Sequence, residues 1–348
     1  MQKPIEIAGV TVKAGSRQSI DIPLPSFYTH SSVNMPVHVV HGRHPGPVLL
    51  VSAAVHGDEI NGVEIIRRLL AHKAVNRIKG TLIAIPVVNV YGFVSKSRYL
   101  PDRRDLNRSF PGSENGSMAS RLAHVLMTQI LPHCDHIIDL HTGAVNRENL
   151  PQIRAKLRGD KQLESLAKAF GVPVILNAEV LEGSFRAAAK EKGIGVLLYE
   201  AGEALRFDEV AIRAGVQGVL QVMAELEMRR KSTRKRGTVS MIANRTRWVR
   251  AAQSGILRSL VATGMKVAEG DLLAYINNPL GEHTDELISP VSGIVIGKTN
   301  LPLVFAGEAL FNIAGYDEID QIAENIDAYQ DDLDPNTDEM LSDEPPLV

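Results

Sequence analysis

Two apolar segments that each end in a histidine restrict most strongly how this chain can fold. Residues 48–55 are apolar apart from Ser52 and lead into His56, and the shorter segment 136–140 leads into His141. Short apolar runs of this kind are typical of strands that are buried on both faces of a parallel sheet. Because open α/β sheets place their functional sites where strands end and helices begin, we expect both histidines at one edge of a sheet.

Glu59 completes a set of three metal-binding side chains with the two histidines. It lies three residues after His56, so one turn of backbone brings both side chains to the same side. A histidine and a glutamate at this spacing are common without a metal, and it is His141 that makes the pattern specific. Two imidazoles and one carboxylate are the ligands of an open zinc site, whereas magnesium and calcium prefer oxygen ligands alone. The sequence therefore predicts one zinc ion per chain.

Segments with the pattern of buried strands alternate with segments of helical periodicity in the first two thirds of the chain. The predicted strands are residues 48–55, 81–89, 136–141, 172–176 and 195–200. The predicted helices are residues 59–72, 118–131, 161–170, 185–192 and 207–228. This alternation predicts an α/β fold with a mixed, mostly parallel sheet that is flanked by helices on both faces. Residues 1–46 contain shorter strand-like runs, which we expect to add a small antiparallel part.

The rest of the chain has a different pattern. A basic run at residues 229–236 interrupts the alternation, and a solvated linker explains it better than a polyanion-binding site, because the formal net charge is −2. Residues 237–315 are short β segments separated by glycines, and residues 316–348 are acidic. The sequence thus predicts a first domain at residues 1–236, a β domain at residues 237–315 and a disordered tail.

The β segments resemble the barrel-sandwich fold of lipoyl and biotinyl carrier domains. Residues 254–257 (Ser-Gly-Ile-Leu) are echoed by residues 292–295 (Ser-Gly-Ile-Val). Carrier domains present a modified lysine on an exposed hairpin between two such halves, but the corresponding residues 278–286 contain no lysine. We therefore expect a small all-β domain without a carrier function.

Composition and charge argue against several classes of protein. The net charge of −2 gives no electrostatic reason to expect nucleic acid or an anionic membrane as the main partner. No segment approaches the roughly 20 apolar residues of a membrane-spanning helix, and the first residues do not resemble a signal peptide. Cys134 is the single cysteine, so a reducing cytoplasm is the simplest setting. The oligomeric state stays open, and a homo-oligomer is compatible with the sequence.

Six motifs occur in order along the chain. They are His56-Gly57-Asp58-Glu59, Asn89, Arg98, Asp105-Leu106-Asn107-Arg108, Asp139-Leu140-His141-Thr142-Gly143 and Glu200. Together they resemble the succinylglutamate desuccinylase/aspartoacylase family, a deacylase branch of the zinc carboxypeptidase clan. The resemblance covers most of residues 1–315. It implies a zinc carboxypeptidase-like fold, a small substrate and a C-terminal β domain that leans over the mouth of the active site.

The resemblance also implies roles for residues between the metal-binding motifs. Asp105 matches a position that hydrogen-bonds the first histidine ligand and fixes its tautomer, although a cap or turn explains an aspartate there equally well. Arg98 matches a position that stabilises the oxyanion of the tetrahedral intermediate. Arg103 and Arg104 compete for the arginine roles on position alone.

Two further roles concern the substrate and the proton. Asn107 and Arg108 match residues that hold a substrate carboxylate, to which the planar guanidinium offers a bidentate match. Glu200 ends the apolar strand 195–199, and a carboxylate beside a metal-bound water is suited to act as general base. Taken alone, Glu200 would be an ordinary solvated side chain, and the other motifs favour the catalytic role.

We expect zinc-dependent hydrolysis of a small N-acyl amino acid, such as deacetylation or desuccinylation. A zinc carboxypeptidase or an esterase would use the same residues. A protein of another class, which binds metal and carboxylate without turnover, would have no need of Glu200 as a base. The acyl group and the amino acid side chain are not predicted, because no motif marks the walls of the pocket.

Overall fold

The computed structural model describes residues 2–231, 239–316 and 319–333. Its strands are β1 Ile5–Ile7, β2 Val10–Val12, β3 Ser16–Leu24, β4 Val33–His41, β5 His44–Ala53, β6 Lys79–Ile85, β7 His136–Gly143, β8 Arg147–Ala155, β9 Val174–Asn177, β10 Gly195–Glu203, β11 Met241–Ala243, β12 Arg245–Arg250, β13 Gly255–Ser259, β14 Lys266–Val267, β15 Leu272–Asn277, β16 Thr284–Ile288, β17 Gly293–Thr299, β18 Leu303–Val304 and β19 Ala309–Gly315. Its α-helices are α1 Asn61–Ala71, α2 Val90–Val94, α3 Met118–Gln129, α4 Lys161–Phe170, α5 Phe185–Glu191, α6 Glu209–Glu225 and α7 Ile319–Leu333. Short 3₁₀-helices lie at Lys73–Arg77, Leu106–Arg108 and Leu131–His133.

A large mixed sheet runs through the molecule in the strand order β12-β19-β17-β8-β10-β7-β5-β6-β4-β3. Its middle strands β10, β7, β5 and β6 pair in parallel, while β8 pairs antiparallel with β10. The first part of the chain adds the antiparallel strands β3 and β4 beside β6. The predicted α/β fold with a mixed sheet is confirmed.

Side chains alternate between the two faces of the central strands, as expected for a sheet that is covered on both sides. On β5, Leu49 and Val51 join one hydrophobic core with helices α1, α4 and α6. Leu50, which lies between them, joins a second core with α3, α5 and Ile137 of β7. The predicted helices therefore cover both faces, and the runs that predicted strands are buried.

Strand β8 is the main element that the sequence pattern did not predict. It begins with the polar residues Arg147, Glu148 and Asn149, and it contains Pro151, so it lacks the apolar run of its neighbours. Its first residues pair with β17, and its last residues pair with β9. Its place in the sheet therefore depends on tertiary pairing more than on its own composition.

The β domain has its own core and also shares the large sheet. β13, β15, β16 and β18 form a separate sheet in the order β16-β15-β13-β18. β12, β17 and β19 belong to the large sheet, because β17 pairs with β8 in the register Gly297 to Asn149 and Thr299 to Arg147. The hairpin that joins β15 to β16, where the sequence lacks a lysine, is formed by residues 278–283.

Residues 319–333 form helix α7, so the prediction of disorder is wrong for this part of the acidic segment. Four apolar side chains recur at helical spacing and are buried, namely Ile322, Ile326, Tyr329 and Leu333. They join the cores of the first domain and of the β domain, and this burial stabilises the helix despite its acidic composition. Residues 334–348, and residues 232–236 of the basic run, lie outside the described residues.

Two further findings bear on the general properties of the chain. In the ranges that the structure describes, no helix is long and apolar enough to cross a membrane. Cys134 is free and buried, and burial, together with the neighbouring Asp135, raises the pKa of its thiol to about 12. A thiol in this state is not a nucleophile at neutral pH.

Candidate metal centre

The chain turns sharply between β5 and α1, and this turn carries two of the predicted metal ligands. Ala54 has a φ of 50°, in the left-handed region that few residues other than glycine adopt. Gly57 packs so closely on α2 that a Cβ atom there would lie 2.0 Å from a backbone carbon of that helix. The backbone N–H of Glu59 donates to the carbonyl of His56 at 3.1 Å and closes the turn. Helix α1 begins only at Asn61, slightly later than predicted.

The three predicted ligands lie together and are buried. Nδ1 of His56 is 2.8 Å from Oε1 of Glu59, and Nδ1 of His141 is 2.7 Å from Oε2 of the same carboxylate. One ligand atom from each residue lies within 4.8 Å of the other two. The exposed fractions of His56, Glu59 and His141 are 4%, 2% and 4%. No other set of histidine, cysteine and acidic side chains in the described ranges has this geometry.

Two aspartates orient the histidine rings. Nε2 of His56 lies 3.1 Å from Oδ1 of Asp105, and Nε2 of His141 lies 2.8 Å from Oδ2 of Asp139. The hydroxyl of Ser52 donates to the other oxygen of Asp139 at 2.8 Å. With Nε2 engaged in this way, Nδ1 of each ring faces Glu59 and is the nitrogen that can bind a metal, because a histidine ligand usually hydrogen-bonds through its other nitrogen. Asp139 was not predicted, although its place two residues before His141 put it on the same face of the strand.

Carboxylates around the two histidines favour positive charge at the centre. Burial alone would lower the pKa of His56, but Glu59 and Asp105 outweigh burial and raise it. Burial would also lower the pKa of His141, and there Asp139 and Glu59 raise it well above its usual value. Burial opposes ionisation of Glu59, yet the two histidines hold its pKa far below the usual range. The same carboxylates would stabilise a divalent cation that is bound between the two histidines.

Asp105 makes contacts of both kinds that its position in the sequence suggested. Its Oδ1 accepts from the backbone N–H of Asn107 at 2.8 Å and so caps the 3₁₀-helix, while the same atom contacts His56. Its Oδ2 accepts from Nε and Nη2 of Arg98 at 3.3 and 3.1 Å. Burial would raise the pKa of Asp105, but His56 and Arg98 hold it well below its usual range.

Of the three arginines that the sequence offered for these roles between residues 98 and 104, Arg98 is the one that contacts a predicted metal ligand. Its Nη1 donates to Oε1 of Glu59 at 3.1 Å, in addition to its bonds with the capping aspartate. Arg104 pairs instead with a neighbouring aspartate at 3.8 Å, and Arg103 is exposed. Asn89 holds the segment in place, because its Nδ2 donates to the carbonyl of Arg98 at 3.4 Å.

Glu200 lies beside His141, because β10 and β7 pair in parallel with these two residues in register. Its Oε2 accepts from Nδ2 of Asn149 at 2.6 Å and lies 3.3 Å from Nη2 of Arg154. Both partners belong to β8, the neighbour of β10 on the other side. The sequence pattern missed them, because it predicted neither the strand nor its register.

The two residues predicted to hold a carboxylate have different surroundings. Asn107 is buried, and its Oδ1 accepts from the backbone N–H of Phe185 at the start of α5, at 2.9 Å. Its amide nitrogen is therefore the group that can serve a ligand. Arg108 is exposed, and its Nη1 donates to the carbonyl of Asn107 at 2.5 Å. The bond between Asn107 and Phe185 ties the segment to α5.

A further arginine on α5, Arg186, interacts with the same group of charges and was not predicted. Its Nη2 donates to the carbonyl of Glu179 at 2.9 Å, while its buried Nη1 has no hydrogen-bond partner among the described residues. Burial and the charge of Arg154 lower its pKa, while Glu200 and Asp139 act in the opposite direction. A buried N–H group without a partner is costly, and an acceptor on a ligand would remove that cost.

The β domain contacts the loop that follows β7, the start of β8 and the last residue of β10. The backbone N–H of Asn300, just after β17, donates to the carbonyl of Asn146 at 2.7 Å. The side-chain amide of Asn300 donates to Glu203 at 2.9 Å and to Glu148 at 3.0 Å. The end of β17 therefore lies at the same edge of the sheet as the predicted ligands.

Comparison with known sequences agrees with the motifs. Residues 45–226 match the sequence profile of the succinylglutamate desuccinylase/aspartoacylase catalytic domain. An N-alpha-acetyl-L-2,4-diaminobutyric acid deacetylase from Halomonas elongata is 28% identical over 302 residues, which make up 79% of this chain and 84% of that protein.

Solved structures extend the similarity beyond the matched domain. A succinylglutamate desuccinylase/aspartoacylase from Rhodobacter sphaeroides has a TM-score of 0.77 and 27% identity, and the match covers 86% of this chain and 95% of that one. The product-bound ectoine utilization protein EutE (DoeB) from Ruegeria pomeroyi has a TM-score of 0.78 and 25% identity, with the same coverage of 86% and 95%. Matches of this extent include part of the β domain.

Proposed function

Because this chain belongs to the succinylglutamate desuccinylase/aspartoacylase family, we propose that it is a zinc-dependent hydrolase that cleaves the amide bond of a small N-acyl amino acid. The relative from Halomonas elongata is named as the deacetylase of an N-acetylated diamino acid, which supports a substrate of this class. The observation that carries the proposal is the buried group of His56, Glu59 and His141, with Glu200 in register beside it.

His56, Glu59 and His141 would hold the metal through one atom each. A zinc ion with three protein ligands lowers the pKa of a bound water towards about 7 and polarises a carbonyl oxygen. Asp105 and Asp139 keep the two imidazole rings oriented through Nε2. Since ring orientation decides which nitrogen is offered to the metal, both aspartates contribute to its affinity.

Glu200 is the proposed general base. It takes a proton from the attacking water and later gives a proton to the leaving amine. Asn149 and Arg154 engage one oxygen of its carboxylate, Oε2, so that Oε1 stays available for the proton. We assign Asn149 as a positioning residue, because it acts on the reaction only through Glu200.

Arg98 is proposed to stabilise the oxyanion. Its bonds to Glu59 and Asp105 fix the guanidinium next to the metal ligands, where negative charge develops on the carbonyl oxygen of the substrate. A cation that is held in place before the reaction stabilises that charge without having to reorganise.

Three side chains are proposed to bind the carboxylate and other acceptors of the substrate. Nδ2 of Asn107 and the guanidinium of Arg108 suit an α-carboxylate. The unpaired N–H group of Arg186 suits a further acceptor oxygen of the substrate. The β domain, through Asn300, borders the same edge and is proposed to shape access rather than to carry a cofactor.

A substrate panel tests the proposal. Purified protein is analysed for zinc and incubated with N-acetyl, N-succinyl and N-formyl amino acids, including N-alpha-acetyl-L-2,4-diaminobutyric acid. We expect about one zinc per chain and release of the free amino acid from at least one class of N-acyl compound.

Esters and short peptides complete the panel, because the same residues would serve an esterase or a carboxypeptidase. Cleavage of esters or peptides without cleavage of any N-acyl amino acid would replace the proposal by one of these activities. Saturable binding of N-acyl amino acids with no turnover would identify a binding protein instead.

A further inference from the structure

A large cavity that the proposed reaction does not use lies at the opposite edge of the central sheet. It has a volume of about 980 Å³ and is bordered by residues at which strands begin or end, namely Ser16, His41, His44 and Lys79. Strand β5 leads from this cavity towards the turn that carries His56, and its 10 residues span roughly 33 Å. The cavity is therefore remote from the candidate metal centre.

Seven of the residues that border this cavity are lysine or arginine, and one, Glu227, is acidic. The seven are Arg17, Arg43, Arg77, Lys79, Arg229, Arg230 and Lys231. They come from two strands, a turn, a 3₁₀-helix and the segment after α6, so only the fold brings them together. Charges of one sign that line a concave surface add up to a potential that attracts multivalent anions.

The protein neutralises few of these charges. Lys231 pairs with Glu225 at 2.8 Å, and the guanidinium groups of Arg17 and Arg229 each donate at 3.2 Å to a backbone carbonyl of a helix. Four side chains have no acidic partner within 4.0 Å in the described parts of the chain: Arg43, Arg77, Lys79 and Arg230. These four are free to bind a ligand.

Backbone hydrogen bonds fix the segments that carry the cations. The N–H of Lys79 donates to the carbonyl of Met228 at 2.8 Å, which joins β6 to the segment after α6. The carbonyl of Arg43 accepts from the N–H of Gln2 at 2.9 Å. His41 is buried and contacts a threonine of β6 at 2.8 Å. A ligand would therefore meet a backbone that is already in place, which lowers the entropic cost of binding.

The helix dipole explains only some of these cations. Residues 229–231 follow the C-terminus of α6, where positive charge is favourable. Arg43 follows β4 and Lys79 begins β6, and neither lies at the end of a helix. The convergence of these residues on the segment after α6 therefore needs another explanation, and for residues 229–231 it replaces the solvated linker that the sequence predicted.

We propose that this cavity binds a small molecule that carries two or more phosphoryl groups. Guanidinium groups form paired hydrogen bonds with phosphate oxygens, whereas a single carboxylate would leave most of these cations without a partner. The volume of about 980 Å³ lies at the upper end of the range of small-molecule sites and accommodates a nucleoside diphosphate or triphosphate. Inorganic pyrophosphate and nucleotides share this chemistry, and the inference does not depend on the proposed hydrolase activity.

Calorimetric titration of the full-length protein with pyrophosphate, ADP and ATP tests the proposal. The double variant Arg43→Gln/Lys79→Gln removes two of the free cations. The matched control Arg247→Gln/Arg258→Gln removes the same charge from exposed positions of the β domain. We expect saturable binding to the wild-type protein and to the control, and binding that is weaker by about tenfold or more in the cavity variant.

Three results would overturn the proposal. One is the absence of saturable binding of all three compounds to the wild-type protein. Another is binding of undiminished affinity to the cavity variant, which would place the phosphates outside this cavity. The third is tighter binding of a short single-stranded oligonucleotide that pyrophosphate does not displace, which would identify a nucleic-acid surface. If circular dichroism shows that the double variant does not fold, the single variant Arg77→Gln replaces it, because this side chain is exposed.

The affinities of ADP and ATP, compared with that of pyrophosphate, show which part of a ligand the cavity recognises. A nucleotide that binds more tightly than pyrophosphate shows that the cavity also recognises a base or a sugar. Equal affinity shows that the phosphoryl groups alone are recognised. Either result supports the proposed chemistry.

Discussion

The two edges of the central sheet treat charge in opposite ways. At the carboxyl edge, where the parallel strands end, Glu59 is buried, and two histidines and Arg98 compensate its negative charge. At the amino edge, where the parallel strands begin, Arg43 and Lys79 are exposed and have no acidic partner among the described residues. Desolvation explains the difference, because a buried charge is stable only beside a compensating charge within the fold, whereas water stabilises an exposed charge that has no partner. The same strands thus connect a site of buried, paired charges with a site of exposed, unpaired charges.

The largest difference between the two edges is expected for two histidines of β7, His141 near its carboxyl end and His136 at its amino end. His141→Ala should lose both zinc and activity, because a ligand is removed from the set of three. His136→Ala is the matched control at the amino end of the same strand, and it should keep both. Metal analysis and the hydrolysis assay measure the outcome, and His141→Ala protein that retains a full complement of zinc would contradict the assigned site.

The next largest effect separates chemistry from metal binding. Glu200→Gln should keep zinc and substrate affinity and should lower kcat on the order of a hundredfold or more, because a general base is lost. Glu203→Gln, on the same strand, contacts the β domain instead and serves as the control. Near-normal turnover by Glu200→Gln would move the base to another residue.

Arg108→Lys tests whether the carboxyl edge recognises a substrate carboxylate. A lysine does not reproduce the forked geometry of guanidinium. We therefore expect kcat/KM to decrease, mainly through a higher KM, by an amount that corresponds to a loss of about 1.5–3 kcal/mol in binding free energy. Arg104→Lys, in the same exposed segment, is the control. Substrates whose α-carboxylate is blocked as an amide should be poor and should not distinguish the two variants. Equal cleavage of free and blocked substrates would instead favour the esterase alternative.

Asn149→Ala should have a smaller effect, confined to kcat. The hydrogen bond to the Glu200 carboxylate is lost, and we expect kcat to fall about tenfold while KM and zinc content stay the same. Asn300→Ala removes hydrogen bonds between the domains without touching Glu200, so it should change kcat less. Similar losses in the two variants would show that Asn149 supports the fold of this region rather than the position of the base.

The smallest effect concerns salt. From about 0.01 M to about 1 M salt the Debye length falls from roughly 30 to 3 Å, which screens exposed charges far more than buried ones. Binding of pyrophosphate at the amino edge should therefore weaken steadily, while the zinc content stays constant. Binding that is insensitive to salt would show that the cations of the cavity do not provide its affinity.

Sequence alone predicted the parts of the site that depend on strand ends. His56, Glu59 and His141 were found because each follows an apolar run or a short turn, and such patterns are local. Asn149 and Arg154 were not found, because their contact with Glu200 depends on the register between β8 and β10. Register between strands distant in sequence is set by tertiary packing and leaves no local signal.

Composition misled the prediction in one segment and was insufficient in another. The acidic residues of α7 suggested disorder, although the spacing of Ile322, Ile326 and Tyr329 is that of an amphipathic helix. Arg186 lies on a predicted helix, yet helical periodicity does not show that its guanidinium is buried beside other charges. In both cases the deciding factor was which surface the segment packs against.

The pairing of β17 with β8 has a consequence for how the protein is made. A chain folds from its N-terminus as it is synthesised, but Asn149 lies in the part of β8 whose outer neighbour is residues 293–299. A nascent chain that already contains every predicted metal ligand therefore still has an unpaired strand edge beside the candidate metal centre. Such edges invite pairing with other chains. The last strands of this protein thus protect its first domain as well as extending it.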